Sequence, residues 1–76
     1  MHIPLDRLSI GQRATIQSVD TRHPVTLRLM EMGLVPGAVV TLQRVAPFGD
    51  PLKFRVGDYL LSLRKSEARH FTVSCS

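Results

Sequence analysis

The stretch PVTLRLMEMGLVPGAVVTL, Pro24 to Leu42, decides how the rest of this chain is arranged. On a helical wheel its first half has two apolar sides instead of one, which is unusual for so short a helix. One side consists of Val25, Leu29 and Met32. The opposite side consists of Leu27 and Met30, continued by Leu34. Because both sides need cover, we expect the first set to plug the core and the second to remain exposed for a partner.

Local signals on either side set the limits of this helix. Pro24 suits the first turn of a helix with Asp20 or Thr21 near the cap, and the pattern predicts a helix over residues 25–32. Gly33 then supplies the left-handed conformation that ends a helix, and a Pro-Gly pair begins the turn into a strand. Two turns are too few to be stable alone in water, so packing must hold this helix in place.

Five short segments carry strand patterns. They are residues 13–19, 38–46, 52–56, 59–64 and 70–73. The third segment alternates strictly between apolar and basic residues. The second has apolar residues on both sides, as expected for a strand that bends and changes its buried side. Residues 65–69 predict a single helical turn.

Together these elements predict a mainly β fold, a small SH3-like five-stranded β-barrel with one short helix between strands 1 and 2 and a helical turn before strand 5. Closing the sheet would remove edges that aggregate. The OB-fold is the alternative, although its helix usually lies between the third and fourth strands, where this chain has only a Gly-Asp turn. With 76 residues, we expect a single domain over residues 1–76.

Bulk properties limit the functional classes. The single Cys75 excludes an internal disulfide framework and fits a reducing compartment. The N-terminus lacks a signal-peptide pattern, and no segment approaches the roughly 20 apolar residues of a membrane helix, so we expect a soluble cytoplasmic protein without membrane insertion. The net charge is +4, but the basic residues are spread along the chain, which is typical of a solvated surface.

No pattern of catalytic or cofactor-binding residues is present in the sequence. The phosphate-binding motif GxxxxGK[ST] does not occur, and no nucleophile and base are grouped, so we predict neither an enzyme nor a cofactor. The candidate metal ligands are His2, His23, His70 and Cys75. None lies at a recognised ligand spacing, so we expect exposed loop and terminal residues here and assign no metal site; transition-metal binding between two molecules through His2 or His70 is the alternative.

Nucleic-acid binding is an alternative function, because small SH3-like and Sm-like barrels often bind RNA. A basic edge is predicted where two neighbouring strands carry Lys53, Arg55, Arg64 and Lys65. Recognition of bases would need exposed aromatic rings. The aromatic residues, most of which we expect in the core, are Phe48, Phe54, Tyr59 and Phe71. We therefore do not expect nucleic acid as a partner.

Three motifs stand in the order and spacing of a known family. They are RLMEMGLVPGAVV (Arg28 to Val40), VAPFGDPLKFRV (Val45 to Val56) and LSLRKSEA (Leu61 to Ala68). The chain resembles the FeoA family, the small ferrous iron transport protein A, and the similarity extends to the opening LxxLxxGQRATIQSV. The resemblance implies an SH3-like domain, which is also similar to the C-terminal module of DtxR-type metal-dependent repressors. A metal-responsive regulatory domain is therefore a further alternative.

The resemblance also implies a role in ferrous iron uptake. It points to a small cytoplasmic accessory protein that binds the cytoplasmic GTPase region of the membrane transporter FeoB and modulates transport. The residues expected to bind the partner lie on the second side of the helix, flanked by two charges: Leu27, Arg28, Met30, Glu31 and Leu34. Self-association through the same side of the helix is the alternative use of these residues.

Overall fold

A computed structural model, which describes residues 1–75, contains one antiparallel sheet and three short helices. The elements are β1 (His2–Pro4), a 3₁₀ helix (Leu5–Arg7), β2 (Arg13–Val19), α1 (Pro24–Glu31), β3 (Val39–Val45), β4 (Leu52–Val56), β5 (Tyr59–Leu63), α2 (Lys65–Ala68) and β6 (Phe71–Cys75). The strand order is β1-β6-β2-β3-β4-β5. The predictions of a mainly β fold, of α1 and of the helical turn before the last strand are confirmed.

The strand count predicted from the sequence is one too low. The additional strand, β1, has only three residues and ends at Pro4, which has no backbone N–H to donate. It forms because it pairs with β6, with Ile3 opposite Val73. Tertiary contact therefore makes this strand, and no alternating pattern could have indicated it. The sheet is open, with β1 and β5 as its two edges.

Two β-bulges bend the sheet around the core. The register shifts between Ile16 and Ser18 in β2, and between Leu42 and Arg44 in β3. Leu42, before the second bulge, is buried, and Val45, after it, also packs against the core. Because a bulge inserts one residue, side chains beyond it exchange faces. The predicted change of buried side in this strand is thus confirmed.

The helix α1 begins and ends one residue earlier than predicted. Its N-terminal capping residue is His23, whose backbone is extended and whose side chain makes no capping hydrogen bond. The predicted caps, Asp20 and Thr21, do not fill this position. The Asp20 carboxylate accepts hydrogen bonds from Arg22 instead, and Pro24 at the first helical position removes one donor that a cap would have satisfied.

The core lies on the inner side of the bent sheet. Its largest fully buried side chains are Phe54, Phe71, Leu5, Ile16, Leu34, Leu42 and Leu63. Burial of a side chain of this size contributes about 1.5–3 kcal/mol. From α1, Leu29 is buried and Val25 packs against the core, as predicted.

Two residues of the segment Pro24 to Leu42 lie on the opposite side of the helix from the one predicted. Leu34 is 0% exposed, whereas Met32 is 44% exposed. The backbone turns at Gly33, with φ +108°, and the Leu34 N–H donates to the Leu29 carbonyl at 3.1 Å. This turn carries Leu34 back beneath the helix. A helical wheel assumes that the helix continues, so it assigns residues at and beyond the actual helix end to the wrong side.

The expectation that most aromatic residues serve the core is only half right. Phe54 and Phe71 are buried, but Phe48 at the tip of the β3–β4 loop is 100% exposed and Tyr59 at the start of edge strand β5 is half-exposed. Nothing packs over a loop tip, so an aromatic residue there stays in water. Among the helices described, none has the length and apolar character needed to cross a membrane.

Candidate functional site

An exposed apolar and charged surface runs along α1 and past its C-terminal end. We call it the outer helix surface and define it by Leu27, Arg28, Glu31, Met32, Val35 and Tyr59, all of which are exposed. Side chains at positions three and four apart share a helix face. Leu27 and Glu31 are therefore neighbours on α1, and Met32 follows at the end of the helix. Two large apolar side chains flank a pair of charges.

Three of the five predicted partner-binding residues belong to this surface. Leu27, Arg28 and Glu31 are exposed, Met30 is half-buried at the side of the helix, and Leu34 is in the core. The helical wheel did not indicate that Met32, Val35 and Tyr59 are exposed beside them. Gly33 was the sequence feature that could have indicated this. A helix that ends at Gly33 changes direction there, so the residues after it do not take the positions that a helical wheel assigns.

The contact between Gly33 and Tyr59 joins the end of the helix to the edge of the sheet. A Cβ atom at Gly33 would overlap the Tyr59 hydroxyl group, and it would lie 3.7 Å from Val56 Cγ1. A side chain at this position would have to displace the Tyr59 hydroxyl group, and the positive φ also favours glycine. The outer helix surface therefore continues without a gap onto the first residue of β5.

Among the residues that the structure describes, the two charged residues of this surface have no ion-pair partner. Within residues 1–75 the salt bridges all involve Asp20, so neither Arg28 nor Glu31 is neutralised by a neighbour. Unpaired charges beside apolar residues can orient a partner of complementary charge.

The outer face of the sheet is basic. Cross-strand pairing places Arg13 opposite Thr41, Thr41 opposite Arg55, and Arg44 opposite Lys53. No salt bridge to these four basic side chains is present in the described part of the chain. We call Arg13, Arg44, Lys53 and Arg55 the basic sheet face. It includes two residues of the predicted basic edge, but it extends across the sheet instead of along its border.

A histidine pair lies at one end of the sheet, beside the start of α1. The His23 and His70 rings are stacked, with centroids 3.8 Å apart and planes inclined by 21°. His23 Nε2 lies 3.5 Å from Asp20 Oδ2. A ligand atom from each of the three residues falls within 4.8 Å of the others.

Strand pairing brings these two predicted loop residues together, which their spacing in the sequence did not indicate. Pairing of β2 with β6 places Val19 opposite Phe71, and the Asp20 N–H donates to the His70 carbonyl at 2.9 Å. Residues just beyond two paired strand ends must meet, although they are far apart in the sequence. The sequence feature that could have indicated this pair was the position of each histidine near the end of a predicted strand, not the spacing between the histidines. His2 and Cys75 lie outside this group.

Arg22 holds the Asp20 carboxylate in its charged form. The guanidinium donates from Nε to Oδ1 at 2.9 Å and from Nη2 to Oδ2 at 2.8 Å, and the Arg22 backbone N–H donates to Oδ1 at 3.1 Å. Since these bonds favour the ionised state, they hold the pKa of Asp20 well below its usual range. The carboxylate is therefore an anion near neutral pH.

Replacement of Arg22 by alanine is expected to raise the pKa of Asp20 towards its ordinary value, because the side-chain hydrogen bonds are the largest cause of the shift, while the backbone N–H of residue 22 still donates to the carboxylate. Since the folded-state pKa is lowered, the pair stabilises the fold above that ordinary value, and this contribution is lost as the pH falls below it. Arg22 is 84% exposed, so the contribution is small. An NMR titration of the Asp20 carboxyl carbon measures the change, with Arg7→Ala as control. A pKa that stays low in Arg22→Ala would contradict this assignment.

Comparison with known protein families shows which family this chain belongs to. The model of the FeoA domain matches residues 3–75. The chain belongs to the FeoA family. It is 38% identical over 69 residues to a fusion protein of Fe(2+) transport protein A and the Fe(2+) transporter FeoB from Porphyromonas gingivalis, a match that includes 91% of the chain and 8% of that protein. The chain thus spans less than a tenth of the length of this relative.

Solved structures of FeoA proteins share the fold. The FeoA protein of Chlorobium tepidum is 40% identical, with a TM-score of 0.88 over 96% of this chain and 70% of that one. The FeoA of Stenotrophomonas maltophilia, an SH3-domain protein complexed with zinc, is 33% identical, with a TM-score of 0.83 over 97% and 89% of the two chains. A manganese-dependent transcriptional repressor has the same fold at 14% identity over 42% of its length, with a TM-score of 0.86. The predicted FeoA family, the SH3-like fold and its occurrence in metal-dependent repressors are confirmed.

Proposed function

We propose that this chain is a cytoplasmic, non-enzymatic accessory protein of ferrous iron uptake that binds the cytoplasmic GTPase region of a FeoB-type transporter and modulates transport. The observation that carries the proposal is the outer helix surface, which exposes large apolar residues on a rigid element. The fusion of a FeoA relative to FeoB in one polypeptide supports the choice of partner, because fused domains often correspond to separate proteins that associate.

The composition of the outer helix surface suits a small protein interface. Leu27 is 51% exposed, and Met32 and Tyr59 are nearly as accessible. Apolar and aromatic side chains of this kind contribute most of the affinity at interfaces, whereas charges beside them set orientation. A domain of this size has few other uses for apolar residues in water. The surface therefore supports binding to a protein instead of catalysis.

A titration of the full chain against the isolated cytoplasmic region of the FeoB protein from the same source tests this proposal. We expect saturable binding by calorimetry, with one copy of this chain per GTPase region, and a heat that depends on whether GDP or a GTP analogue is bound. In cells, loss of the chain should lower uptake of labelled ferrous iron. Absence of binding in every nucleotide state would overturn the proposed contact.

Self-association through the outer helix surface is the competing use of the same residues. It would bury Leu27 and Met32 between two copies in a symmetric contact. Sedimentation of the chain alone and with the GTPase region separates the two cases. A dimer that persists when the GTPase region is in excess would favour self-association.

Nucleic-acid binding is a second candidate, favoured by one observation. The basic sheet face carries four cations without an intramolecular partner in the part of the chain described, and Phe48 beside it in sequence is fully exposed for stacking. This candidate predicts retention of single-stranded RNA that falls steeply with added salt. No retention at low salt would exclude it.

A further inference from the structure

We propose that Asp20, His23 and His70 form a binding site for one divalent transition-metal ion. Two imidazoles and a carboxylate, with ligand atoms within 4.8 Å of one another, match the donor set that zinc, ferrous iron and cobalt prefer. Calcium and magnesium take mainly oxygen ligands, so the same set disfavours them. The proposal does not depend on the partner proposed above, because no residue of the outer helix surface belongs to it.

The backbone around the three residues is held by hydrogen bonds. Thr26 is the buried polar residue of α1, and its hydroxyl lies 2.9 Å from the Asp20 carbonyl and 2.7 Å from the His23 carbonyl. The Thr26 N–H also donates to the His23 carbonyl at 3.0 Å, and the Asp20 N–H donates to the His70 carbonyl at 2.9 Å. These bonds tie the loop after β2 both to α1 and to the start of β6. Ligands placed on fixed backbone lose little entropy when an ion binds.

Two side-chain movements accompany binding. In the stacked arrangement the two ring planes are nearly parallel, so the lone pairs of His23 and His70 do not meet at one point. Both residues are partly exposed, so each ring has solvent beside it into which it can rotate. The Asp20 carboxylate must also exchange its bonds with Arg22 for the ion. Arg22 is therefore a competitor of the metal as well as a nearby positive charge.

This competition distinguishes a metal site from an incidental cluster. Removal of a ligand weakens binding, whereas removal of Arg22 should strengthen it, because the carboxylate is then unoccupied and a like charge is absent. A protein surface that binds metal at scattered histidines would not respond to Arg22. The open side of the site, where Asp20 is 28% exposed and His23 is 45% exposed, leaves positions for water and allows the ion to exchange.

Titration of the full chain with cobalt(II) alone, followed by visible absorption and calorimetry, tests the site. We expect one ion per chain, affinity at least about tenfold weaker in His23→Ala and in His70→Ala, and tighter binding in Arg22→Ala. His2→Ala is the matched control and should bind as the unmodified chain does. Circular dichroism establishes that each variant is folded.

A second measurement keeps the proposal testable if a variant unfolds. In the unmodified chain, substoichiometric cobalt(II) should broaden the imidazole resonances of His23 and His70 first, and those of His2 last. Broadening centred on His2 or Cys75, affinity unchanged in both histidine variants, or no binding at all would overturn the site. Because the GTPase titration is performed without metal, failure of this proposal and failure of the partner proposal are distinguishable.

Discussion

Replacement of Leu34 by alanine is expected to lower the free energy of unfolding by about 3–4 kcal/mol, whereas Leu27→Ala should change it by less than about 1 kcal/mol. Both residues are leucines of the same apolar set on the helical wheel. Leu34 is fully buried beneath the helix, while Leu27 is half in water. Loss of a buried leucine removes its transfer free energy and also leaves a cavity, because the neighbours relax only in part.

The geometry at the end of α1 makes Leu34 difficult to replace. The Leu34 N–H donates to the Leu29 carbonyl, and the Gly33 N–H donates to the Met30 carbonyl at 3.0 Å. These bonds fix the backbone at the helix end, so it is not free to move into the space that a smaller side chain leaves. We therefore place the expected loss above the lower end of the range of about 2–5 kcal/mol for leucine-to-alanine changes.

Urea denaturation of Leu34→Ala, Leu27→Ala and the unmodified chain measures the difference between the two positions. A midpoint shift without a change in slope would identify a pure loss of stability. Equal losses at the two positions would show that Leu34 is not beneath the helix in solution, and the assignment of the inner and outer sides of this segment would then be wrong.

The same pair of leucines shows where sequence reasoning succeeded and where it stopped. Periodicity located α1 and five of the six described strands, because the alternation of buried and exposed residues follows directly from backbone geometry. The helical wheel assigned Leu29 and Leu27 correctly, since both lie inside the helix. It failed for Met32 and Leu34, since the backbone no longer follows a helix there. An inference from hydrophobic periodicity is valid only for residues inside the helix or strand concerned.

The histidine pair marks a different limit. His23 and His70 meet because β2 and β6 pair, and the register of two strands distant in sequence depends on the packing of the whole core. Spacing rules detect ligands that one local element presents, such as a single loop or helix. They do not detect a cluster assembled at the ends of two strands. The edge strand β1 was missed for the same reason, since its partner alone defines it.

The double variant Leu27→Asp plus Met32→Asp is expected to fold and to bind the GTPase region of FeoB at least about a hundredfold more weakly. Apolar residues at the centre of an interface each contribute about 2 kcal/mol or more, and a tenfold change in affinity corresponds to about 1.4 kcal/mol. Carboxylates would also have to lose water at the interface without a partner. Neither residue is in the core, so the stability of the free chain should change little.

The control for this variant is Phe48→Asp, because Phe48 is larger and more exposed but lies in the β3–β4 loop, outside the outer helix surface. We expect Phe48→Asp to bind the GTPase region as the unmodified chain does. A general loss of apolar surface would weaken both variants equally, whereas a defined interface weakens only the helix variant.

If instead Phe48→Asp abolishes binding and the helix variant keeps it, the partner contacts the loop end of the sheet. The exposed leucine and methionine of α1 would then have to be explained by self-association, and sedimentation of the double variant would decide this, because only that case converts a dimer into a monomer.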